Sequence, residues 1–446
     1  KEVTPKDLVT RLHNDIMNYP PGAGQKIVKM LDTLKNQLTA SGKEIFIYEL
    51  LQNANDYPQI NDGNKQPVDV EFHLTLTSLV FMHTGAPFNE KNIAAICSIN
   101  DKEKDTNKDT IGYKGIGFKT VFVDNENVYL QSAGYSFRFD RQASKDIVDT
   151  AWQILPIWTQ FSELTPAEKA IFTLAKPDFR VKFALTPTRR ETLRDIPNNY
   201  EQMFRKIFAN ERVILFIPNL ASVKVYLHGT NIPDIICNQS SEKWQVDSFE
   251  DTIDEDITSS INKDIEDQEK QGGLKIPTKY FDFKQTKVSF ACEIDADHHR
   301  LKPVQDSCLY CYLPAKEAKW GLKFLLNTDM IPNGARDNIE TEFDNSTNVN
   351  EEIARIAGSK FFDWIYLLCR SNKYEYNSIF NLIPNFASIK RGRDKFKELI
   401  SEFQNGFEIR LKDEAIIPSD GSFIRLTNTI LDETGLSSSG IVKDEE

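Results

Sequence analysis

Three polar side chains stand at helical spacing in the stretch YELLQNANDYPQ: Glu49, Asn53 and Asp56, among the apolar Leu50, Leu51 and Ala54. Residues three and four apart stack on one side of a helix. A carboxylate there can orient or deprotonate water, and an amide oxygen one turn further on can ligate Mg2+. A solvated helix face ended by Pro58 is the plainer alternative. Further along, Gly112, Gly115 and Gly117 precede Phe118 and Lys119 in TIGYKGIGFKTVF. A glycine loop that runs into a helix start turns backbone N–H groups toward anions, so it can cradle a phosphate chain. Alone this string says little, because no βαβ pattern surrounds it and no G-K-[ST] accompanies it; neither a dinucleotide fold nor a P-loop follows. The order is more specific: carboxylate and amide on a helix, a strand ending in HTGAPF, a charged loop, then the glycine loop. Together these residues form a kit for hydrolysing a nucleotide.

The elements that must position them can be read from periodicity and punctuation. TPKDLVTRLHNDIM, GQKIVKMLDTLKNQL and the Glu49 stretch read as helices over residues 5–58, separated by NYPPGAG and TASGKE. VDVEFHLTLTSLVFMH alternates like a hairpin that turns near Thr77 and Ser78. NEKNIAAICSI reads as a short helix, VYLQSAGYSFRFD and FRVKFALTP as strands around a looser, Trp-containing region, and NNYEQMFRKIFAN as a helix. VILFIPNL, SVKVYLHG, TKVSFACEI and SCLYCYLP read as strands, a helix follows near 349–370, and AIIPSDGSFIRL reads as a two-stranded element around an Asp-Gly turn. The change of pattern places a domain boundary near 195, a second domain over 196–370 with an acidic, solvated insertion at 238–273, and an appended small module over 371–446.

Composition bounds the class. The chain has 446 residues, 40% hydrophobic and 11% aromatic, which suits a folded protein with two or three cores, and no apolar run is long enough to span a membrane. A net charge of −12 argues against a broad grip on nucleic acid. Six cysteines are too few for a disulfide framework in so long a chain, so a reducing, cytoplasmic setting is expected. The chain starts at Lys1 and ends in IVKDEE without a visible signal peptide, which reads as a piece of something larger.

By these motifs, taken in their order, the sequence resembles the GHKL superfamily, the fold of gyrase B, the ninety-kilodalton heat-shock chaperones, histidine kinases and MutL. ELLQNAND and IGYKGIGFKTVF look most like the sacsin and NO VEIN type of heat-shock-chaperone-like ATPase region. The resemblance implies an α+β chain: a Bergerat-type α/β sandwich ATPase domain over 1–195, then a middle, transducer-like α/β domain. It implies ATP as substrate with Mg2+ as cofactor, Glu49 as general base, Asn53 as Mg2+ ligand and Asp56 as a pocket-wall carboxylate. Gly112, Gly115 and Gly117, with Phe118, would cradle the phosphates, and residues 89–110 would be a lid, with Lys102 or Lys104 either reaching a phosphate or solvated. Gly85 is the glycine of HTGAPF, and two residues before it the family carries an aspartate that accepts from the adenine amino group; here His83 stands there. An imidazole accepts at one nitrogen and donates at the other, so it can bind a purine edge without having to choose adenine. The family's pocket threonine has no clear counterpart near FRVKFALTP. Downstream, FLLNTDMIPNGARDNIE resembles the chaperones' catalytic loop, which implies that Arg336 reaches the γ-phosphate, with Asp329 opening the motif. The alternative is a surface pairing of Arg336 with Asp337 or Glu340.

The reading is therefore a slow ATPase switch in which nucleotide drives lid closure and a domain rearrangement or dimerisation, as a homodimer or with a partner protein. Such regions occur in chaperone-like proteins and in bacterial defence or restriction systems. A non-hydrolysing nucleotide-binding or scaffold module with altered base preference is the alternative. Cys308-x-x-Cys311 offers a zinc pair, and Asp295, Asp297, His298 and His299 a metal cluster; buried free thiols and a polar turn are the plainer readings of these.

Overall fold

The computed structural model describes residues 4–18, 28, 44–98, 117–145, 147, 151–188, 195–239, 242–271, 280–333, 337–341, 344–419 and 422–429. They are a mixture of helices and sheets of the α+β kind, in two compact units, 1–241 and 242–446.

The first unit opens on α1 (Pro5–Met17), which starts where it does because Thr4 and Asp7 cap it reciprocally and Pro5 occupies the first turn. The other helices are α2 (Ile45–Asp56), α3 (Glu90–Ile96), α4 (Pro166–Leu174) and α5 (Asp195–Ile207). A small hairpin pairs β1 (Ile60–Asn61) with β2 (Asn64–Lys65). The main sheet is built from β3 (Val68–Leu74), β4 (Leu79–His83), β5 (Asn125–Ser132), β6 (Tyr135–Asp140), β7 (Ile157–Trp158), β8 (Val181–Pro187), β9 (Leu220–Tyr226) and β10 (Ile235–Asn238). Their order is β10-β9-β3-β4-β8-β5-β6-β7, antiparallel throughout except for the parallel pair β3 and β9. The β3–β4 turn closes where the sequence places it: Thr75 takes the N–H groups of both Thr77 and Ser78 on its hydroxyl.

Strand alternation gives the sheet two apolar faces. On one, the Phe72 ring lies 5.2 Å from Phe204 of α5 and 5.0 Å from Phe81. Helix α2 shares this layer, with Phe46 edge-on to Tyr200 of α5. On the other face Val80, Met82, Tyr129 and Ala184 pack with Leu164, Phe172 and Phe179 around α4.

In the second unit, β11 (Trp244–Thr252) pairs along its whole length with β12 (Gln285–Ile294), and α6 (Glu255–Gln271) lies between them in sequence. The sheet continues through β13 (Leu301–Lys302), β14 (Leu309–Cys311), β15 (Leu313–Ala315) and β16 (Leu325–Asn327). Helices α7 (Asp344–Arg370), α8 (Tyr376–Phe380), α9 (Phe386–Lys390) and α10 (Lys397–Asp413) precede a hairpin of β17 (Ala415–Ser419) and β18 (Ser422–Arg425). Phe290, Phe324, Phe361, Trp364 and Phe403 stack through the core, the Phe324 and Phe361 rings 4.6 Å apart.

Four features differ from the sequence reading. The boundary falls near 241 and not 195, because β9 and β10 belong to the first sheet. The acidic segment 238–273 is not a solvated insertion: β11 is hydrogen-bonded to β12, and Ile261 and Ile265 of α6 are buried. Residues 371–429 are no appendage, since Phe403, Phe407 and Ile416 belong to the same core as α7. Finally, VILFIPNL is not a strand. Val213 to Ile217 are all buried in a 3-10 turn and loop before Pro218, and a run with no exposed alternate residue does not need a sheet face.

Candidate functional site

Helix α2 carries Glu49 and Asn53. Glu49 is buried at 4% exposure and has a partner, whereas Asn53 and Asp56 are half-buried. The helix lies against β3, β9 and the 3-10 turn Gly117–Phe122 that begins where the glycine loop ends. The expected α-helix after that loop is thus a short 3-10 helix of six residues. Phe118 points from it to Phe183 of β8, with ring centroids 5.7 Å apart, and Phe183 in turn meets Phe81 at 5.9 Å. Phe81 meets His83 at 5.6 Å on the same face. The sheet face that holds α2 therefore also holds His83 and Phe118.

His83 ends β4, between Val70 and Val181 in the register of the sheet. It is 2% exposed, and burial pushes its pKa down to about 3. The Gly85 N–H donates to its Nδ1 at 3.1 Å. Since a backbone N–H can only donate, Nδ1 is the acceptor and the ring proton sits on Nε2. Around it the turn is tied down. Thr84 N–H donates to the Asp69 carbonyl at 3.1 Å, Asp69 N–H to the Thr84 hydroxyl at 2.9 Å, and Arg180 Nη1 to the Thr84 carbonyl at 2.8 Å. Ala86 N–H donates to the Tyr57 carbonyl at 2.7 Å, which joins HTGAPF to the end of α2. Gly85 is needed for that approach: a Cβ there would stand 2.6 Å from the Tyr57 carbonyl oxygen and 2.8 Å from His83 Nδ1.

Two residues that the sequence reading did not use hold the frame. Asn55 is fully buried; its Oδ1 accepts from the Asn219 N–H at 2.9 Å, its carbonyl accepts from Asn219 Nδ2 at 2.9 Å, and its own Nδ2 donates to Asp56 Oδ1 at 3.1 Å. This fastens the C-terminal end of α2 to the start of β9 and orients Asp56. Lys119, which follows the glycine loop, is buried and donates to the carbonyls of Ile96, at the end of α3, and Gln153 at 3.2 Å. Burial pushes its pKa down to about 8, while burial pushes the thiol of the nearby Cys97 up to about 12.

Of the remaining candidates, Gly112, Gly115, Lys102, Lys104 and Arg336 lie outside the described residues. The expected lid is described only from Asn89 to Ser98, as the Asn89-capped helix α3 and the residues after it. Asp329 is described within the second unit, where its carboxylate accepts from the Lys287 N–H at 2.7 Å and the Tyr312 hydroxyl at 2.7 Å. On β8, Thr186 alternates with Ala184 and so belongs to the α4 face, opposite His83; it does not supply the missing pocket threonine. Cys308 and Cys311 are half-buried rather than buried, and among the described residues no three His, Cys, Asp or Glu side chains gather as a metal site.

No family model matches the chain. Protein NO VEIN of Arabidopsis thaliana is 24% identical to it over 342 residues, a span that is 71% of this chain and 11% of that protein. The chain is thus NO VEIN-like over most of its length while spanning only about a ninth of this much longer relative.

Proposed function

We propose that the first unit is a Bergerat-type nucleotide-binding domain and that the chain works as an Mg2+-dependent nucleoside-triphosphate switch of the heat-shock-chaperone and sacsin kind, with ATP the substrate implied by the resemblance. The observation that carries the reading is the meeting of α2, the HTGAPF turn and the 3-10 turn at Gly117 on one face of the sheet. Glu49 then serves as general base from a buried position one helical turn from Asn53. The residues suit Mg2+: this ion keeps waters and binds through one or two protein oxygens plus substrate phosphates, so the amide oxygen of the half-buried Asn53 is a fitting single ligand and no cluster of carboxylates is called for. When bound, the ion would neutralise phosphate charge; Asn53 holds it, Glu49 takes the proton of the attacking water, and Asp56, oriented by Asn55, lines the wall. Turnover would reset lid and domain positions in a homodimer or a larger partner assembly in the cytoplasm.

Magnesium-dependent release of phosphate from a purine nucleoside triphosphate, abolished in Glu49→Ala with nucleotide binding retained, is the expected result. Absence of any hydrolysis sensitive to that substitution would sink the enzymatic part. A second reading, binding without turnover, is favoured by the burial of Glu49 at 4% exposure. It predicts thermal stabilisation by nucleotide, about 3 kcal/mol at a hundredfold excess over Kd, with no phosphate released.

A further inference from the structure

We infer that the outer edge of β11 is a docking site for another protein, which adds an extended segment bearing lysine or arginine to the sheet as a further strand. The surface lies in the second unit and is independent of the nucleotide reading.

Strand β11 ends its sheet and pairs on one side only, with β12. At one end of that ladder the Ile253 N–H donates to the Lys284 carbonyl at 2.9 Å, and at the other the Ile294 N–H donates to the Lys243 carbonyl at 2.8 Å. Bonded and unbonded positions alternate along an antiparallel pair, so Gln245, Asp247, Phe249 and Asp251 also turn their backbone groups to β12. Val246, Ser248 and Glu250 turn theirs outward, where among the described residues no partner meets them. The strand is pinned behind that edge. Trp364 Nε1 and Lys360 Nζ of α7 meet the carboxylates of Asp247 at 2.8 Å and Asp251 at 3.0 Å, and the Tyr374 hydroxyl donates to Gln245 Oε1 at 2.8 Å. A held row of outward donors and acceptors is what strand addition uses.

Edge strands that must stay bare are kept short, bulged, or broken by proline or lysine. β11 runs for nine residues in unbroken register and carries none of these devices. Its guard is acidic. Residues 244–262 hold Asp247, Glu250, Asp251, Asp254, Glu255 and Asp256 with no lysine or arginine, and Glu250, Asp254, Glu255 and Asp256 are exposed. On β12, Lys287 alone is basic, opposite Glu250. Like charges set against one another destabilise a strand pair and opposite charges stabilise it. A second copy of β11 would bring the same acids to the edge, in a chain whose net charge is already −12, so the edge rejects its own kind. A basic strand finds both the backbone partners and the countercharge.

The probe is a labelled peptide as long as β11 in which threonine and lysine alternate, titrated with the whole chain and read by fluorescence anisotropy. Threonine suits a strand, and the lysines supply the countercharge. The peptide should bind about tenfold more tightly than its fully N-methylated form, which keeps the charge but cannot donate from its backbone; one buried hydrogen bond is worth about that factor. It should also slow hydrogen exchange at the outward amides of Val246, Ser248 and Glu250. Ser248→Pro removes an outward N–H that β12 does not use, and should weaken binding by a similar factor. Equal binding of the two peptides would overturn the inference, because the acids would then attract charge alone. Failure of both to bind would overturn it as well, leaving the acids as a guard and nothing more. So would binding that leaves the three amides unprotected. A dimer in sedimentation that Ser248→Pro dissolves would make a second copy the occupant, against the inference. The comparison of the two peptides on the unsubstituted chain decides the matter even where Ser248→Pro fails to fold.

Discussion

Gly85 and His83 show how much a single position depends on its neighbours. In the sequence they are a glycine and a histidine in HTGAPF; folded, the glycine N–H fixes the histidine tautomer, and the absent Cβ lets the Tyr57 carbonyl close in. The burial that keeps His83 neutral has a measurable cost in acid. Its pKa is about 3 in the folded chain against 6.5 ordinarily, so as pH falls below about 6.5 the unfolded state takes up a proton that the folded state refuses. Protonation therefore favours unfolding throughout that window, and the loss continues until pH nears 3. By about pH 5 the first unit should have lost roughly 2 kcal/mol relative to neutral pH through this group. Urea unfolding of the unsubstituted chain and of His83→Gln at both pH values checks this, since the difference between their two pH dependences isolates His83. Equal losses of stability in the two chains would show that His83 is not buried as described.

At the scale of elements, the helices were legible where caps mark them and the sheet where alternation does. Thr4 with Pro5 and Asp7 announces α1, and VDVEFHL with LVFMH announces β3 and β4. Helix α4 carries the same signal, Thr165, Pro166 and Glu168, yet it lies in a segment that read as loose because Trp and Phe residues without period surround it. What no local pattern contains is a bond across distance. Asn55 looks like one more polar residue of YELLQNANDYPQ, but it points away from Asn53, into the protein, and grips Asn219, far along the chain. Only the sheet topology brings those two together. Asn55→Ala removes the acceptor of the Asn219 N–H and should cost about 2 kcal/mol in urea unfolding. Asn55→Asp keeps an acceptor but sets a second carboxylate against Asp56; it should destabilise at neutral pH and recover as pH falls toward the carboxylate range, where one of the pair takes a proton. Equal stability of the Asn55→Asp chain at both pH values would refute the contact between Asn55 and Asp56.

For the whole molecule, the sequence reading put a boundary at the change of pattern near 195, and the fold puts it near 241. Composition shifts mark where the chain changes rhythm; they do not mark where strand pairing ends. Here the pairing continues: β9 lies parallel to β3, with Phe72 beside Val225, and Phe204 and Phe208 cover the Phe72 ring at 5.2 and 6.1 Å. No helix among the described residues is long and apolar enough to cross a membrane. A fragment of residues 1–241 should unfold in one cooperative urea transition. One of residues 1–195 should not, because it leaves β3 an unpaired edge and strips the aromatic cover from Phe72, a side chain with no exposure in the intact unit. It should aggregate, or bind a dye for exposed apolar surface and melt without a transition. A cooperative transition in the shorter fragment, at the same denaturant midpoint as the longer one, would mean that α5, β9 and β10 are dispensable and that the unit ends where the sequence changes rhythm. The same pair of fragments carries the functional reading further, since α2, His83 and Phe118 all precede residue 195 while Asn219, which holds the end of α2, follows it. Nucleotide binding should therefore be kept by the longer fragment and lost by the shorter.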